Sequence, residues 1–242
     1  SKNTDFIKLC LDEDLSSEIT IQPLKRFDID AAIIFSDILL VPYALGQSVK
    51  FKKDFGPLLG NIDFSKISKI GESEFSEKLE PVYNAIKKTK DKVELKDKDL
   101  IGFVGAPWTI LIYMLNKKSP KNEDIGSNLK DIKFIDDLLK IIIKFLKIHI
   151  ENQISNGATI IQIFDSWAGL LDEKDYDKFV YRPTRDLVNF VKSKNIPVIC
   201  FPKGINNYKK YVSVVKPDVI SIDYDADPKE ISKNIDVTVQ GG

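Results

Sequence analysis

An aspartate that lies between two apolar stretches, with one serine before it, is the first candidate for chemistry in this sequence. Asp37 follows the apolar run at residues 31–35 and precedes Ile38 and Leu39. Desolvation disfavours a carboxylate in such surroundings unless a hydrogen bond or an opposite charge compensates for it. Two interpretations are open: a local backbone amide satisfies Asp37 as a turn or helix cap, or the side chain is free for a ligand. We favour the ligand, because such a carboxylate can accept several hydrogen bonds or stabilise a positive charge.

Two hydroxyl groups come after further apolar runs. Tyr113 lies in a predicted helix that follows the run at residues 100–104, and Ser166 follows the run at residues 159–164. Tyr113 is either a core tyrosine with its hydroxyl at the rim or a ligand-binding group. Ser166 either caps the next helix or binds a ligand, and Asp165 is a second candidate for that cap.

Four other side chains could contribute to a site. Trp108 and Trp167 lie just past apolar runs, and each could line a ligand pocket or close the core. Lys203 could contact an anionic ligand, although a lone loop lysine is usually solvated. The single histidine, His149, falls on the apolar face of a predicted helix, so we expect a core residue. One histidine and two scattered cysteines form no zinc set of usual spacing, and we expect no metal.

Composition excludes several classes of protein. Among 242 residues, 36 basic and 36 acidic side chains give a formal net charge of zero, so we expect neither a nucleic-acid nor a membrane-surface partner. Cys10 and Cys200 are predicted to be buried thiols in a reducing compartment. The longest apolar stretch, residues 138–150, is interrupted by lysines and cannot span a bilayer. We therefore expect a cytoplasmic protein.

The apolar runs predict the strands that position these candidates. They are residues 31–35, 100–104, 159–164, 197–201, 219–222 and 237–239. Amphipathic segments separate the runs, which predicts a parallel α/β sheet with every candidate at the carboxyl edge. A barrel and a doubly wound open sheet both fit, although the glycine-rich fingerprints of the open sheet are missing. Since six strands are two short of a (β/α)8 barrel, we expect one domain over residues 1–242 that is truncated at both ends.

Loops and prolines complete the prediction. Residues 42–57 and 116–128 are polar or glycine-containing and are predicted to be loops. Pro23, Pro81 and Pro183 fall inside predicted helices, where a proline bends the helix or marks its first turn.

Four segments together carry a resemblance to a known family. They are residues 35–39 with 44–46, 102–109 with 113–114, 162–169 (Gln-Ile-Phe-Asp-Ser-Trp-Ala-Gly), and 201–204 (Phe-Pro-Lys-Gly). In this order and spacing the sequence resembles the uroporphyrinogen decarboxylases. The resemblance implies a (β/α)8 barrel, commonly a homodimer, that needs no cofactor. Such enzymes decarboxylate the four acetate groups of uroporphyrinogen III to coproporphyrinogen III in heme biosynthesis.

The resemblance also assigns roles and shows departures. By position, Asp37 is the central catalytic aspartate, and Asp37, Tyr113 and Ser166 bind substrate. The family's arginine-containing first strand and its histidine-containing last strand have no counterpart in this sequence, and Gly242 stands where the family usually has asparagine. Two alternatives stay open: a corrinoid- or folate-linked methyltransferase, which would need a zinc set, and a non-catalytic tetrapyrrole-binding barrel.

Overall fold

The computed structural model describes residues 5–120, 129 and 131–241. Helices and strands alternate along most of the chain. The described strands are β1 (Ala31–Ile33), β2 (Val49–Lys52), β3 (Gly56–Leu59), β4 (Asp99–Gly105), β5 (Ile160–Asp165), β6 (Val198–Pro202), β7 (Val219–Ser221) and β8 (Thr238–Gln240). The described α-helices are α1 (Phe6–Cys10), α2 (Glu13–Arg26), α3 (Leu40–Ala44), α4 (Phe64–Ile67), α5 (Glu72–Lys90), α6 (Pro107–Asn116), α7 (Ile132–Ser155), α8 (Arg182–Lys192), α9 (Tyr208–Val215) and α10 (Pro228–Ser232).

Six of these strands form one parallel sheet in the order β1-β4-β5-β6-β7-β8. The order follows the chain without a reversal, whereas a doubly wound open sheet reverses at a switch point. Right-handed crossovers between successive neighbours place all the connecting helices on the same face, which makes the sheet curl with the helices outside. The prediction of an α/β fold with six strands of a (β/α)8 barrel is therefore confirmed.

Strand register separates an inner face from a helix-covered outer face. Phe103 on β4 pairs with Gln162 on β5, so the two side chains lie on the same face. Phe103, Phe164 and Phe201 are half-buried on this inner face, and neighbouring rings meet edge to face at 5.6 and 6.5 Å. On the outer face Ile163 is buried beneath the helices. The inner face is thus an aromatic wall, and the outer face is the core.

Helix α7 shows why the outer layer is stable. Its apolar side chains recur at helical spacing, and Leu138, Ile142 and Phe145 are buried. His149 continues this face, and its Nδ1 lies 3.0 Å from the Tyr83 hydroxyl. Burial lowers the pKa of His149 to about 3, because the charged imidazolium is disfavoured there. The prediction of a core histidine is confirmed. No helix within the described ranges is both long and apolar enough to cross a membrane.

The prediction of a loop at residues 42–57 is wrong. This segment contains part of α3 and most of the antiparallel hairpin β2–β3. The hairpin is tied to the end of α6, because the Gln47 amide donates hydrogen bonds to the carbonyls of Gly60 and Met114 at 2.8 and 3.0 Å. In β2, Val49 and Phe51 alternate with lysines, which is the pattern of a half-buried strand rather than a continuous apolar run.

The three prolines occupy different helical positions. Pro23 lies in the last turn of α2, and Pro81 lies in the middle of α5, so neither begins its helix. Pro183 lies in the first turn of α8, directly after a π-helical turn at Asp177–Tyr181. Proline is well suited to a first turn, where its missing N–H would have no intrahelical partner. Of the predicted loop at 116–128, residues 121–128 lie outside the described part of the chain.

Candidate active site

The loop after β1 carries Asp37 across the carboxyl end of the neighbouring strand. The β1 end is fixed by a hydrogen bond from the Phe35 amide to the Thr20 hydroxyl at 2.9 Å. The next residue after Asp37 packs closely on β4, since a Cβ added to Gly105 would lie 3.2 Å from the Cβ of Ile38. Asp37 is therefore at the carboxyl edge of β1, beside the carboxyl end of β4.

One oxygen of Asp37 has a local partner and the other does not. The Leu39 amide donates to Asp37 Oδ1 at 2.7 Å, where α3 begins. Within the described residues, Oδ2 has no hydrogen-bond partner and the carboxyl forms no ion pair. Burial raises the pKa of Asp37 to about 6, although the Leu39 hydrogen bond acts to lower it. Burial and the nearby Asp37 charge raise the pKa of the Cys10 thiol to about 12.

Tyr113 lies on α6, the helix that follows β4. Its half-buried ring meets that of Trp167 edge to face, with centroids 5.8 Å apart. Trp108, in contrast, is fully buried, packs against Phe179 and donates from Nε1 to the Trp167 carbonyl at 2.9 Å. Trp108 is thus a core residue, while Trp167 lies at the rim.

Ser166 and Asp165 at the end of β5 do not act as caps. The short 3-10 helix that follows at Ala168–Leu170 has no side-chain cap. The half-buried Ser166 hydroxyl has no hydrogen-bond partner in the described part of the chain. Asp165 is fully buried and accepts a hydrogen bond from the Thr109 hydroxyl at 2.7 Å. Burial raises the pKa of Asp165 to about 7.

The loop after β6 adjoins the loop that contains Ser166. The Gly169 amide donates to the Lys203 carbonyl at 2.9 Å, and the Gly204 amide donates to Asp223 Oδ2 at 2.8 Å. The Lys203 side chain is exposed and forms no ion pair within the described residues. Its backbone therefore supports the rim, and its side chain is solvated.

Aromatic inner-face residues are the part of the site that sequence reasoning missed. A cavity of about 610 Å³ runs along β1 and α2 at the open edge of the sheet and reaches this face, and its lining does not include Asp37, Tyr113 or Ser166. Its lining includes Phe35, Phe103 and Phe164, together with Ser36, which directly precedes Asp37. The signal was present in the sequence, because Phe35, Phe103 and Phe164 occupy the last or the second-last position of the apolar runs 31–35, 100–104 and 159–164.

The structure thus places Asp37 and Ser166 just after the carboxyl ends of β1 and β5, and Tyr113 on α6, the helix that follows the intervening strand β4. They offer one free carboxylate oxygen and two free hydroxyls within the described residues. This arrangement suits a ligand with N–H donors and carboxylates. Within residues 5–120, 129 and 131–241, no three His, Cys, Asp or Glu side chains are grouped to hold a metal ion.

Comparison with known proteins identifies related sequences. The sequence model of the family described as uroporphyrinogen decarboxylase matches residues 1–242. Uroporphyrinogen decarboxylase of Rickettsia bellii is 43% identical over 226 residues, covering 90% of this chain and 66% of the relative. That of Orientia tsutsugamushi is 42% identical, covering 94% and 68%, and that of Campylobacter jejuni is 41% identical, covering 84% and 62%. The chain thus spans about two thirds of the length of these relatives.

Solved structures show a likeness in fold. A methyltransferase from Methanosarcina mazei superposes with a TM-score of 0.79 at 15% identity, covering 96% of this chain and 70% of that protein. A B12-independent methionine synthase from Shewanella superposes with a TM-score of 0.54 at 12% identity. At such identities the likeness concerns the fold alone.

Proposed function

The chain belongs to the uroporphyrinogen decarboxylase family, and we propose that the protein containing it removes CO₂ from the four acetate groups of uroporphyrinogen III to give coproporphyrinogen III. The observation that carries the proposal is the free Oδ2 of Asp37 beside the carboxyl end of β4, with Tyr113 on the helix that follows β4 and Ser166 after the neighbouring strand β5. Relatives at about 40% identity carry the name of this reaction.

Asp37 suits the charge that develops during this reaction. A pyrrole acetate loses CO₂ readily once the ring is protonated at carbon, because the ring then accepts the electron pair of the breaking C–C bond. The positive charge spreads over the ring and its N–H, which a facing carboxylate stabilises. At ~4 Å and an effective dielectric constant of ~20, such a charge pair is worth ~4 kcal/mol. Asp37 can supply this because its environment is already desolvated and largely apolar.

Tyr113 and Ser166 would orient the substrate. Their hydroxyls can donate hydrogen bonds to substrate carboxylates and so present one acetate at a time. Phe103 and Phe164 lie half-buried on the aromatic inner face and would pack against the macrocycle. The chain's own residues thus bind, orient and stabilise charge, and we propose that no cofactor is required, since the substrate ring itself accepts the electrons.

We further propose a single domain that continues beyond residues 1–242 on both sides, in a cytoplasmic homodimer. In the described part of the chain, β1 and β8 each pair with one neighbour only, which leaves two sheet edges for further strands. The chain also spans only 66% of its Rickettsia bellii relative.

Turnover of uroporphyrinogen III by the full-length protein tests the proposal. We expect coproporphyrinogen to form, and we expect Tyr113→Phe and Ser166→Ala each to raise KM about 10-fold or more, since each removes a hydrogen bond to a charged group. Ser193→Ala is the control, because Ser193 is exposed at the C-terminal end of α8 and its hydroxyl donates only to the Phe190 carbonyl. Absence of product from the wild-type protein would reject the reaction and would leave a non-catalytic tetrapyrrole-binding barrel. Unchanged KM values in both variants would reject the two binding roles.

A further inference from the structure

A buried hydrogen-bonded chain lies directly behind the candidate active site. Thr109 on α6 donates its hydroxyl hydrogen to Asp165 Oδ1 at 2.7 Å. The same hydroxyl oxygen accepts a hydrogen bond from the Trp167 amide at 3.3 Å. A hydroxyl group has a single hydrogen, so a partner that accepts it leaves the oxygen lone pairs for another donor. Asp165 therefore determines which way the Thr109 hydroxyl faces.

Trp167 is held by α6 at three points. Its amide bonds Thr109, its carbonyl accepts from Trp108 Nε1 at 2.9 Å, and its ring packs on Tyr113. Thr109 and Tyr113 are one turn apart and lie on the same side of α6. Ser166 lies between Asp165 and Trp167 in the chain, so both of its neighbours belong to this arrangement.

We propose that Asp165 is a positioning residue, which acts through Thr109 to fix Trp167 and thereby the placement of Tyr113 and Ser166. This proposal rests on the proposed function, because it gives these two residues the task of orienting substrate carboxylates. Asp165 itself is fully buried on the helix-covered face of β5, on the same side as Ile163, so it does not contact substrate and is not a catalytic residue.

Asp165 performs this task as a hydrogen-bond acceptor rather than as a charge. The titratable groups that face it are Cys200 on β6, Tyr211 on α9 and Tyr176 before the π-helical turn. Burial raises the pKa of each of these groups, so they stay neutral at physiological pH. Asp165 forms no ion pair within the described residues, and its Oδ2 is buried without a partner. An amide oxygen can accept the Thr109 hydrogen equally well.

Two pairs of variants in the full-length protein test the proposal. Thr109→Val removes the hydroxyl at nearly constant shape, whereas Thr109→Ser keeps it. Asp165→Leu removes the acceptor, whereas Asp165→Asn keeps it. Ile163→Val is the control for general core damage, because Ile163 is buried on the same face of β5 and makes no polar side-chain contact.

The first readout is hydrogen exchange of the Trp167 amide, which needs no substrate. In Thr109→Val the Trp167 amide loses its hydrogen-bond acceptor, and in Asp165→Leu the Thr109 hydroxyl becomes free to rotate. We therefore expect both variants to accelerate exchange of this amide about 10-fold or more. Thr109→Ser, Asp165→Asn and Ile163→Val are expected to exchange at the wild-type rate. If Asp165→Leu does not fold, the threonine pair alone decides the outcome.

The second readout is the division of the loss between KM and kcat with uroporphyrinogen III. Misplacement of binding groups by about 1 Å can cost up to about 100-fold, and we expect the loss in Thr109→Val mainly in KM. Wild-type exchange of the Trp167 amide in Thr109→Val would overturn the proposal, as would an equal effect of Ile163→Val. If the wild-type protein does not turn over uroporphyrinogen, the proposed function fails, while the exchange data still test how Trp167 is held.

Discussion

Stability should depend on pH through the buried carboxyl of Asp165. Its pKa rises from an ordinary 3.8 to about 7 in the folded protein, because burial disfavours the charged form. The folded protein therefore binds more protons than the unfolded chain between pH 4 and pH 7. It follows that the free energy of unfolding contributed by this group is fully present below pH 4 and is lost as the pH rises towards 7.

The size of the effect follows from the shift. A raise of about 3 pKa units corresponds to about 4 kcal/mol in total, of which about 3 kcal/mol is lost between pH 5 and pH 8. Asparagine does not titrate, so the Asp165→Asn variant does not lose this stability as the pH rises. Other groups, including Asp37 and His149, titrate in both proteins and cancel in the difference. The neighbours Cys200 and Tyr211 stay neutral up to pH 8, because burial raises their pKa values.

Urea unfolding of the full-length wild type and Asp165→Asn at pH 5, 6, 7 and 8 measures this difference. We expect the variant to gain stability relative to the wild type steadily from pH 5 to pH 8. A difference between the two proteins that is constant over this range would show that Asp165 has an ordinary pKa, and the reasoning about its burial would be wrong.

Two further predictions concern the rim of the site. Because Asp37 must be ionised to stabilise a positive charge and has a pKa raised to about 6, kcat/KM should fall about 10-fold as the pH drops from 7 to 5. A flat profile for wild-type turnover in this range would contradict the requirement for the anion. A Cβ on Gly169 would overlap the backbone of Gly204, so Gly169→Ala should destabilise the protein by about 1–3 kcal/mol in urea unfolding. Gly71→Ala is its control, since a Cβ there meets nothing within 4 Å, and equal stability of the two variants would refute the close approach.

The sequence was sufficient for the sheet and for the edge that carries the candidates. Strands such as β5 are covered by helices, so their sequences are continuous apolar runs. In a parallel sheet the residues that follow each run lie at the carboxyl edge. That rule alone placed Asp37 and Ser166 at the same edge of the sheet, after strands that have β4 between them. It failed for β2, where Val49 and Phe51 alternate with lysines and no apolar run exists.

The sequence could not show how the site is held. Asp165 read as a helix cap, because a polar residue before a helix usually is one. Its actual partner, Thr109, lies 56 residues away in the chain, and only the adjacency of β4 and β5 brings α6 over it. For Asp37, the interpretation as a turn cap describes one oxygen only: Oδ1 accepts a hydrogen bond from the Leu39 amide, and Oδ2 stays free within the described residues.

The turnover number of full-length Asp37→Asn tests the central claim most directly. Asparagine keeps the shape and the Leu39 hydrogen bond but removes the charge. Loss of a charge-stabilising group costs about 3–4 kcal/mol of barrier, so we expect kcat to fall by about 10²-fold or more with the fold intact. Asp91→Asn, which removes an exposed charge at the far end of α5, should keep wild-type turnover. A kcat for Asp37→Asn within a few-fold of wild type would contradict the account.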